Sequence, residues 1–181
     1  MQGWRSISAA AALTALSALT ACSGGNGSTS DVTIAGVQAI RVDGHAHSEG
    51  PIDYKLHPPA GGTHNPIWWN CGFYDQPVPD VNAVHDLEHG AVWLAYSPDL
   101  PAADIEVIHE LARANPRVLA SPYPGLKAGE AVVATAWARQ LRLDSVTDPR
   151  LAQFVAAYLD GSHAPEAGAS CSGTPLGTPI P

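Results

Sequence analysis

Six of the chain's eight histidines fall between positions 45 and 89. Imidazole is the commonest protein ligand for transition metals and the commonest proton carrier near neutral pH. Two of the six stand in the string His85-Asp86-Leu87-Glu88-His89. On a helix, residues 85, 88 and 89 lie within about 100° of arc, so both imidazoles and the carboxylate face one point. On a strand, Glu88 would turn away from the two histidines.

We therefore predict His85 and His89 as metal ligands, with Glu88 as the candidate catalytic group that orients a ligand or accepts a proton. The alternative is a histidine pair that packs or hydrogen-bonds inside the core. The string also fits the H-x-x-E-H pattern of the inverzincin peptidases. That pattern fixes three of five positions, and those far larger enzymes resemble this chain nowhere else, so whether the protein is an enzyme stays undecided.

A metal site needs further ligands, and the preceding loop offers two. His64 follows a proline- and glycine-containing segment that could aim it inward, and His47 is two residues from His45, which puts both on one face of an extended chain. Either could instead be a solvated loop histidine. Three or four imidazoles suit Zn²⁺ or Cu²⁺, whereas the only methionine is Met1, which disfavours a thioether-based Cu(I) carrier.

The three other histidines are not predicted as metal ligands. His57 stands beside a lysine and prolines and is expected to be exposed. His109 is predicted on the polar side of a helix and His163 in a turn, both as surface residues.

The N-terminal segment predicts export and lipidation. Residues 1–21 read as a lipoprotein signal peptide, with an apolar run too short to span a bilayer, and Cys22 as the lipidated residue. Residues 22–31 then form a polar, flexible tether, residues 32–163 a globular domain, and residues 164–181 a tail rich in proline and glycine. The expected location is extracytoplasmic, with the lipid as the contact to the membrane.

The two remaining cysteines, Cys71 and Cys171, are expected to form a disulfide, because exported proteins meet an oxidising compartment. Cys71 as a thiolate metal ligand, or as a nucleophile paired with a histidine, is the alternative. The formal charge of −8 argues against a nucleic-acid partner; a small ligand or an envelope protein stays open as a partner.

The body of the chain predicts an α+β domain, a small mixed or antiparallel sheet with two main helices and a long ordered loop. Residues 43–80 hold six prolines and five glycines, which forbid long regular elements, yet their aromatic residues need burial. No regular βαβ winding is expected. The predicted elements are an edge strand within 32–42, strands at 91–96, 117–121 and 131–143, and helices at 81–89, 101–114 and 148–160, with Asp80 and Asp148 as helix caps.

Three blocks of sequence carry a resemblance to a known family. They are Tyr54 with Pro58-Pro59, Gly62 and His64, then Cys71-Gly72-Phe73-Tyr74, then Val84 to Gly90. Together they resemble the family catalogued as domain of unknown function 3105, whose members are secreted or membrane-anchored bacterial proteins. The resemblance implies five shared polar site positions, which are His47, His64, His85, Glu88 and His89.

These observations lead to one expectation and two rivals. We expect an extracytoplasmic lipoprotein with a histidine-rich site that binds a divalent transition metal, Zn²⁺ or Cu²⁺. A metal-dependent hydrolase or oxidoreductase is the first rival. The second is a non-catalytic envelope binding protein with structural histidines, whose ring nitrogens would lie more than about 5 Å apart, against metal–nitrogen bonds of about 2.0 to 2.1 Å.

Overall fold

The computed structural model describes residues 1–3 and 33–181. Apart from its first three residues, the predicted signal peptide lies outside the described residues, as do Cys22 and the tether. The chain divides into a unit Met1–Asp31 and a unit Val32–Pro181, and every element below belongs to the second. Over the described ranges, no helix has the length and apolar character needed to cross a bilayer.

The described part of the chain forms three helices and six strands. In chain order they are β1 (Gln38–Ala39), β2 (Gly72–Phe73), α1 (Asp80–Glu88), β3 (Val92–Tyr96), α2 (Ala102–Ala114), β4 (Val118–Pro122), β5 (Val132–Ala136), β6 (Arg139–Leu143) and α3 (Pro149–Tyr158). The strands make one sheet in the order β1-β6-β5-β3-β4-β2, so β1 is an edge strand as predicted. Strand β4 pairs in parallel with β2 and β3, and the other pairs are antiparallel.

This architecture confirms the α+β prediction with a mixed sheet. It contains two parallel crossovers: β2 leads through α1 to β3, with β4 between these two strands, and β3 leads through α2 to β4. No further unit of that kind follows within residues 33–181, because β5 returns antiparallel beside β3 and β6 beside β5.

The central strands β3, β4 and β5 are buried on both faces. Alternate residues of a strand point to opposite faces, and those of β3 enter two different clusters. Leu94 packs with Ile108 of α2 and Phe154 of α3, whereas Trp93 packs with Leu87 of α1. Helix α1 is therefore held against the sheet on one side, which leaves its other side to meet the loop that precedes it.

One helix start follows the prediction and another does not. Asp148 caps α3, because its carboxylate accepts a hydrogen bond from the Arg150 backbone N–H at 2.9 Å. The predicted cap Asp80 is instead the first residue of α1, and Pro79 occupies the cap position without a side-chain bond. The Asp80 carboxylate is engaged elsewhere, since the Tyr123 hydroxyl donates to it at 3.1 Å.

The predicted long strand 131–143 is wrong. It is the hairpin of β5 and β6, with Ala136 paired to Arg139 across a two-residue turn. The turn residue Ala138 has φ +58°, a conformation that usually calls for glycine, asparagine or aspartate. Tertiary hydrogen bonds hold it there, because the Ala138 N–H donates to Ala60 O at 2.8 Å and its carbonyl accepts from Ile40 N–H at 2.9 Å.

The C-terminal residues run back along the histidine-rich loop. The Ile180 backbone N–H donates to Phe73 O at 2.8 Å, and the Asn70 side chain donates to the carbonyls of Thr174 and Gly177 at 3.1 and 2.7 Å. This segment therefore packs against the loop around β2.

Candidate metal centre

Helix α1 carries the predicted string, and the helical interpretation of it is right. His85 and Glu88 lie inside the helix and are 3% and 1% exposed, and His89 follows as the C-terminal cap residue at 4%. Leu87 points the other way, into the core under the sheet. Gly90, at φ +91°, then takes the left-handed conformation that ends the helix and leads into β3.

The preceding loop brings two more histidines to the same place. His47 and His64 form an isolated parallel bridge, in which the His64 N–H donates to Ala46 O at 3.0 Å. The next residue, Asn65, donates its N–H to Val81 O at 3.1 Å, which ties this segment to the start of α1. Local backbone bonds thus join residues that are far apart in the sequence.

The result is a cluster of four potential ligands. Ligand atoms of His47, His64, His85 and Glu88 all lie within 4.8 Å of one another. Glu88 Oε2 is 2.9 Å from His64 Nε2 and 3.4 Å from His47 Nε2. His64, His85 and Glu88 are buried, whereas the His47 side chain is 45% exposed. The cluster therefore lies at the edge of the core, with one side toward solvent.

His89, the fourth histidine predicted as a ligand, stands beside this cluster of four. Its Nε2 lies 2.9 Å from Nε2 of His85 and 3.6 Å from a carboxylate oxygen of Glu166. The fourth member of the cluster is Glu88 and not His89, although the sequence pattern assigned Glu88 an orienting or proton-accepting role.

Backbone carbonyls fix the orientation of three of the rings. The contacts are His64 Nδ1 to Gly62 O at 2.8 Å, His85 Nδ1 to Asn65 O at 2.7 Å and His89 Nδ1 to Ser170 O at 2.6 Å. A carbonyl only accepts, so each Nδ1 must carry the proton. In a neutral imidazole the other nitrogen, Nε2, then presents a lone pair.

These lone pairs face one another or an anion. Nε2 of His85 and Nε2 of His89 are 2.9 Å apart, and Nε2 of His64 meets the Glu88 carboxylate at 2.9 Å. Two acceptors at such a distance repel unless a cation or a proton lies between them. The arrangement thus has the chemistry of a cation site.

The surroundings of His85 and Glu88 hold these two side chains in the protonation states that bind a metal. Burial lowers the pKa of His85, by more than its hydrogen bond to Asn65 raises it, so the ring is neutral near pH 7. Burial by itself would raise the pKa of Glu88. The facing His64 and His47 outweigh that effect and bring the pKa below its usual value, so the carboxylate is ionised.

One nearby imidazole was not assigned to the site by the sequence. His45 Nδ1 lies 2.9 Å from Glu88 Oε1, and its side chain is 58% exposed. The spacing of two residues between His45 and His47 was the available signal, since both face Glu88 from one extended segment. The Ser170 carbonyl, more than 80 residues from its partner His89, left no signal in the sequence.

Two tryptophan rings lie beside the cluster. The Trp68 ring lies 5.7 Å from His85 and 5.2 Å from His89, centroid to centroid. Trp137, from the β5–β6 turn, lies 6.1 Å from His64. These rings lower the local dielectric, which strengthens electrostatic interactions inside the cluster.

The other histidines lie outside the cluster. His57 is 56% exposed and contacts Tyr123, and His163 lies against Tyr158. His109 is not the surface residue that was predicted. Its side chain is 18% exposed and its ring stacks on Phe73 with 4.4 Å between centroids, because the C-terminal end of β2 passes beside α2.

The expected disulfide is present between Cys71 and Cys171, whose Cα atoms are 5.4 Å apart. This pairing leaves neither cysteine as a thiolate ligand or a nucleophile. Beside it lies Asp86, which is fully buried and accepts a hydrogen bond from the Trp69 backbone N–H at 3.3 Å. Burial raises the pKa of Asp86 well above its usual value, since that bond and the charge of Arg117 compensate only in part.

Replacing Asp86 with asparagine is therefore expected to stabilise the fold at neutral pH. Above the usual pKa of 3.8, unfolded Asp86 loses its proton while the folded form keeps it, so wild-type stability is full at low pH and declines as pH rises. The amide has no such penalty and still accepts from Trp69. We expect a gain of about 1–3 kcal/mol in the free energy of unfolding at pH 7.

Urea denaturation at pH 4, 5.5 and 7 measures this, with Asp99→Asn at an exposed position as the control. The advantage of Asp86→Asn must widen from pH 4 to pH 7. Equal stability at all three values would contradict the assigned pKa direction.

Comparison with known proteins places this chain in a family. Searches of curated proteins and of solved structures gave no significant match. The model of the family described as "Protein of unknown function (DUF3105)" matches residues 45–173. That span runs from His45 through the cluster to both cysteines and covers more than half of the chain. The chain therefore belongs to the DUF3105 family, as the three sequence blocks had suggested.

Proposed function

We propose that the histidine site binds one divalent transition-metal ion. The ligands are His47, His64, His85 and Glu88, with His89 as a further donor. The observation that carries the proposal is that Nε2 atoms converge while backbone carbonyls hold Nδ1 on the far side of three of the rings, those of His64, His85 and His89. Metal-binding histidines in proteins are held in this way by hydrogen bonds from their second nitrogen.

The distances support a shared ion. With metal–nitrogen bonds of about 2.0–2.1 Å, two ligands on one ion lie about 2.9 Å apart at a right angle and about 4.2 Å apart when opposed. The His85–His89 and His64–Glu88 separations are both 2.9 Å. The 4.8 Å spread of the four-residue cluster closes with a shift of less than about 1 Å, for which the half-exposed His47 has room.

A proton shared between His85 and His89 explains the site less well than a metal ion does. A single proton could join His85 to His89, but burial lowers the pKa of His85, which opposes its protonation near pH 7. Nor do the distances match those of purely structural histidines, for which the ring nitrogens would be spread beyond about 5 Å.

The donor set suits Zn²⁺ or Cu²⁺, because imidazole and carboxylate serve both. We also propose that the protein is exported and held at the membrane by a lipid on Cys22, which would put the site in an extracytoplasmic compartment. The Cys71–Cys171 disulfide supports this location, since disulfides persist where conditions are oxidising.

Metal content tests the ligand assignment. We expect the purified protein to carry about one equivalent of Zn²⁺ or Cu²⁺ after loading and desalting, and the His85→Ala/His89→Ala variant to lose most of it. Elemental analysis of both proteins, each checked for folding by circular dichroism, gives the comparison.

His57→Ala is the matched control, because it removes an exposed imidazole that lies outside the cluster. It should retain the wild-type metal content. Should the double variant bind as much metal as the wild type, the proposed ligands would be wrong.

A second candidate function is metal-dependent hydrolysis or oxidation. The exposed sides of His45 and His47, 58% and 45%, favour it, because they leave the cluster accessible to a substrate. In that case Glu88 would act on a bound water and would not be needed to hold the metal.

A further inference from the structure

Two separate loops anchor the two facing imidazoles of α1. Asn65, in the loop before β2, supplies the carbonyl that holds His85 Nδ1 at 2.7 Å. Ser170, in the C-terminal segment, supplies the carbonyl that holds His89 Nδ1 at 2.6 Å. The approach of His85 Nε2 to His89 Nε2 therefore depends on the relative positions of these two loops.

The Cys71–Cys171 disulfide joins the same two loops. Cys171 is the residue next to Ser170, and Cys71 ends the segment that begins at Asn65. The two cysteines are 100 residues apart in sequence, and the Cys71 N–H also donates to Cys171 O at 2.7 Å. Both sulfur-bearing residues are buried, at 8% and 5% exposed.

Further contacts tie the C-terminal segment to the end of α1. The Glu166 N–H donates to Glu88 O at 2.9 Å, and the Gly168 N–H donates to His89 O at 3.1 Å. The Arg117 guanidinium donates to His89 O and to Ala169 O. Residues 166–171 thus lie around His89, and the disulfide joins the end of this segment, Cys171, to Cys71.

We infer that the Cys71–Cys171 disulfide controls the metal affinity of the histidine site. It does so by fixing the positions of the Asn65 and Ser170 carbonyls relative to each other. This inference rests on the proposed function and adds its regulation. With the disulfide intact, both Nδ1 atoms are anchored and both Nε2 atoms converge. Without it, only hydrogen bonds hold the C-terminal segment beside α1, so the Ser170 carbonyl fixes the orientation of the His89 ring less tightly.

The chemical step is a two-electron thiol–disulfide exchange. A dithiol reductant supplies two electrons and two protons, the Sγ–Sγ bond breaks, Cys71 and Cys171 become thiols, and the dithiol becomes a disulfide. Oxidation reverses each change. High metal affinity would therefore follow disulfide formation, which restricts metal loading to an oxidising compartment.

Thermodynamic linkage makes the coupling reciprocal. If the disulfide raises metal affinity by some factor, the bound metal must disfavour reduction by the same factor. The coupling can therefore be measured either as a change in metal affinity or as a change in the equilibrium of disulfide reduction.

The first test removes the disulfide. Zn²⁺ affinity is measured by competition with a chromophoric chelator for the wild type and for Cys71→Ser/Cys171→Ser, with Ser172→Ala as the neighbouring control. We expect the double variant to bind at least about tenfold more weakly and the control to bind like the wild type. In a His89→Ala background the same cysteine substitutions should cost much less, because the anchored ring is already gone.

The second test keeps the native chain and serves even if the cysteine variant fails to fold. Monothiol redox buffers of graded potential bring the full chain to equilibrium by thiol–disulfide exchange, and trapping of the free thiols measures the reduced fraction. Saturating Zn²⁺ is expected to lower the equilibrium constant for reduction at least about fivefold. In His85→Ala/His89→Ala, Zn²⁺ should leave that constant unchanged.

The outcomes separate the two proposals. Absence of Zn²⁺ or Cu²⁺ binding by the oxidised wild type would overturn the proposed function and this inference with it. Wild-type binding with undiminished affinity in a folded cysteine variant would overturn this inference alone. So would an equilibrium constant for disulfide reduction that Zn²⁺ does not change in a wild type that binds it.

Discussion

Replacing Glu88 with glutamine is expected to weaken metal binding about 10- to 100-fold while leaving the fold intact. Glu88 is 1% exposed and stands 2.9 Å from His64 Nε2 and 3.4 Å from His47 Nε2. Glutamine has the same shape but no negative charge, so the ion would lose its one anionic ligand in a site of low dielectric.

The same substitution should lower the stability of the metal-free protein only modestly. Burial alone would raise the pKa of Glu88, but the facing His64 and His47 bring it below its usual value, so the ionised carboxylate favours the fold at neutral pH. Glutamine lacks that charge, and we expect a loss of about 1 kcal/mol in the free energy of unfolding. A loss of metal affinity that exceeds this loss of stability is the signature of a ligand and not of a structural residue.

Isothermal titration with Zn²⁺ and urea denaturation in the presence of a chelator measure the two effects. Glu166→Gln is the matched control, since Glu166 is half-exposed and 3.6 Å from His89; it should change affinity far less. If Glu88→Gln kept full affinity, Glu88 would not be a ligand, and the hydrolase candidate would gain support.

Metal affinity is expected to fall steeply as pH falls, by at least about tenfold between pH 7 and pH 5.5. Each imidazole must be neutral to bind, so protons compete with the ion at every histidine of the cluster. At His85, burial lowers the pKa below 6.5 and so weakens this competition.

Acid also weakens the metal-free fold in the same direction. A histidine with a lowered pKa binds a proton more readily when unfolded, so His85 removes stability as pH falls below 6.5 toward its folded pKa. The pKa of Glu88 is lowered as well, so its contribution is present above 4.5 and is lost as pH falls further.

Direct Zn²⁺ titrations at pH 7.5, 6.5 and 5.5, with thermal unfolding at each pH, test both parts. His57→Ala serves as the control, because an exposed histidine outside the cluster should not alter the slope. An affinity that stays constant over this range would show that the ion, if bound, is not held by imidazoles.

Much of the fold followed from local patterns. Helix α3 was predictable because Asp148 caps it and its apolar residues recur at helical spacing. The β5–β6 hairpin was not, because Ala138 adopts a left-handed conformation without a turn residue's sequence signal. Partners at Ala60 and Ile40, both distant in sequence, impose that turn.

The candidate site, like the fold, was predictable only where local helix geometry fixes the relation between residues. The i, i+3 and i, i+4 spacings of His85, Glu88 and His89 place three donors on one helical face, since helix geometry alone fixes that relation. The segment holding His47 and His64 could join them only through a backbone bridge. Folding also decided that Glu88 lies within the ligand cluster while His89 stands at its edge.

The sequence by itself determined the donor types, the helical face that carries three of them and the pair of cysteines available for a disulfide. The tertiary structure decided which nitrogen of each ring faces the others, because that depends on carbonyls at Gly62, Asn65 and Ser170. A carbonyl is the same in every residue, so its role as an anchor leaves no mark on side-chain identity. Only the folded path of the chain brings it to the ring.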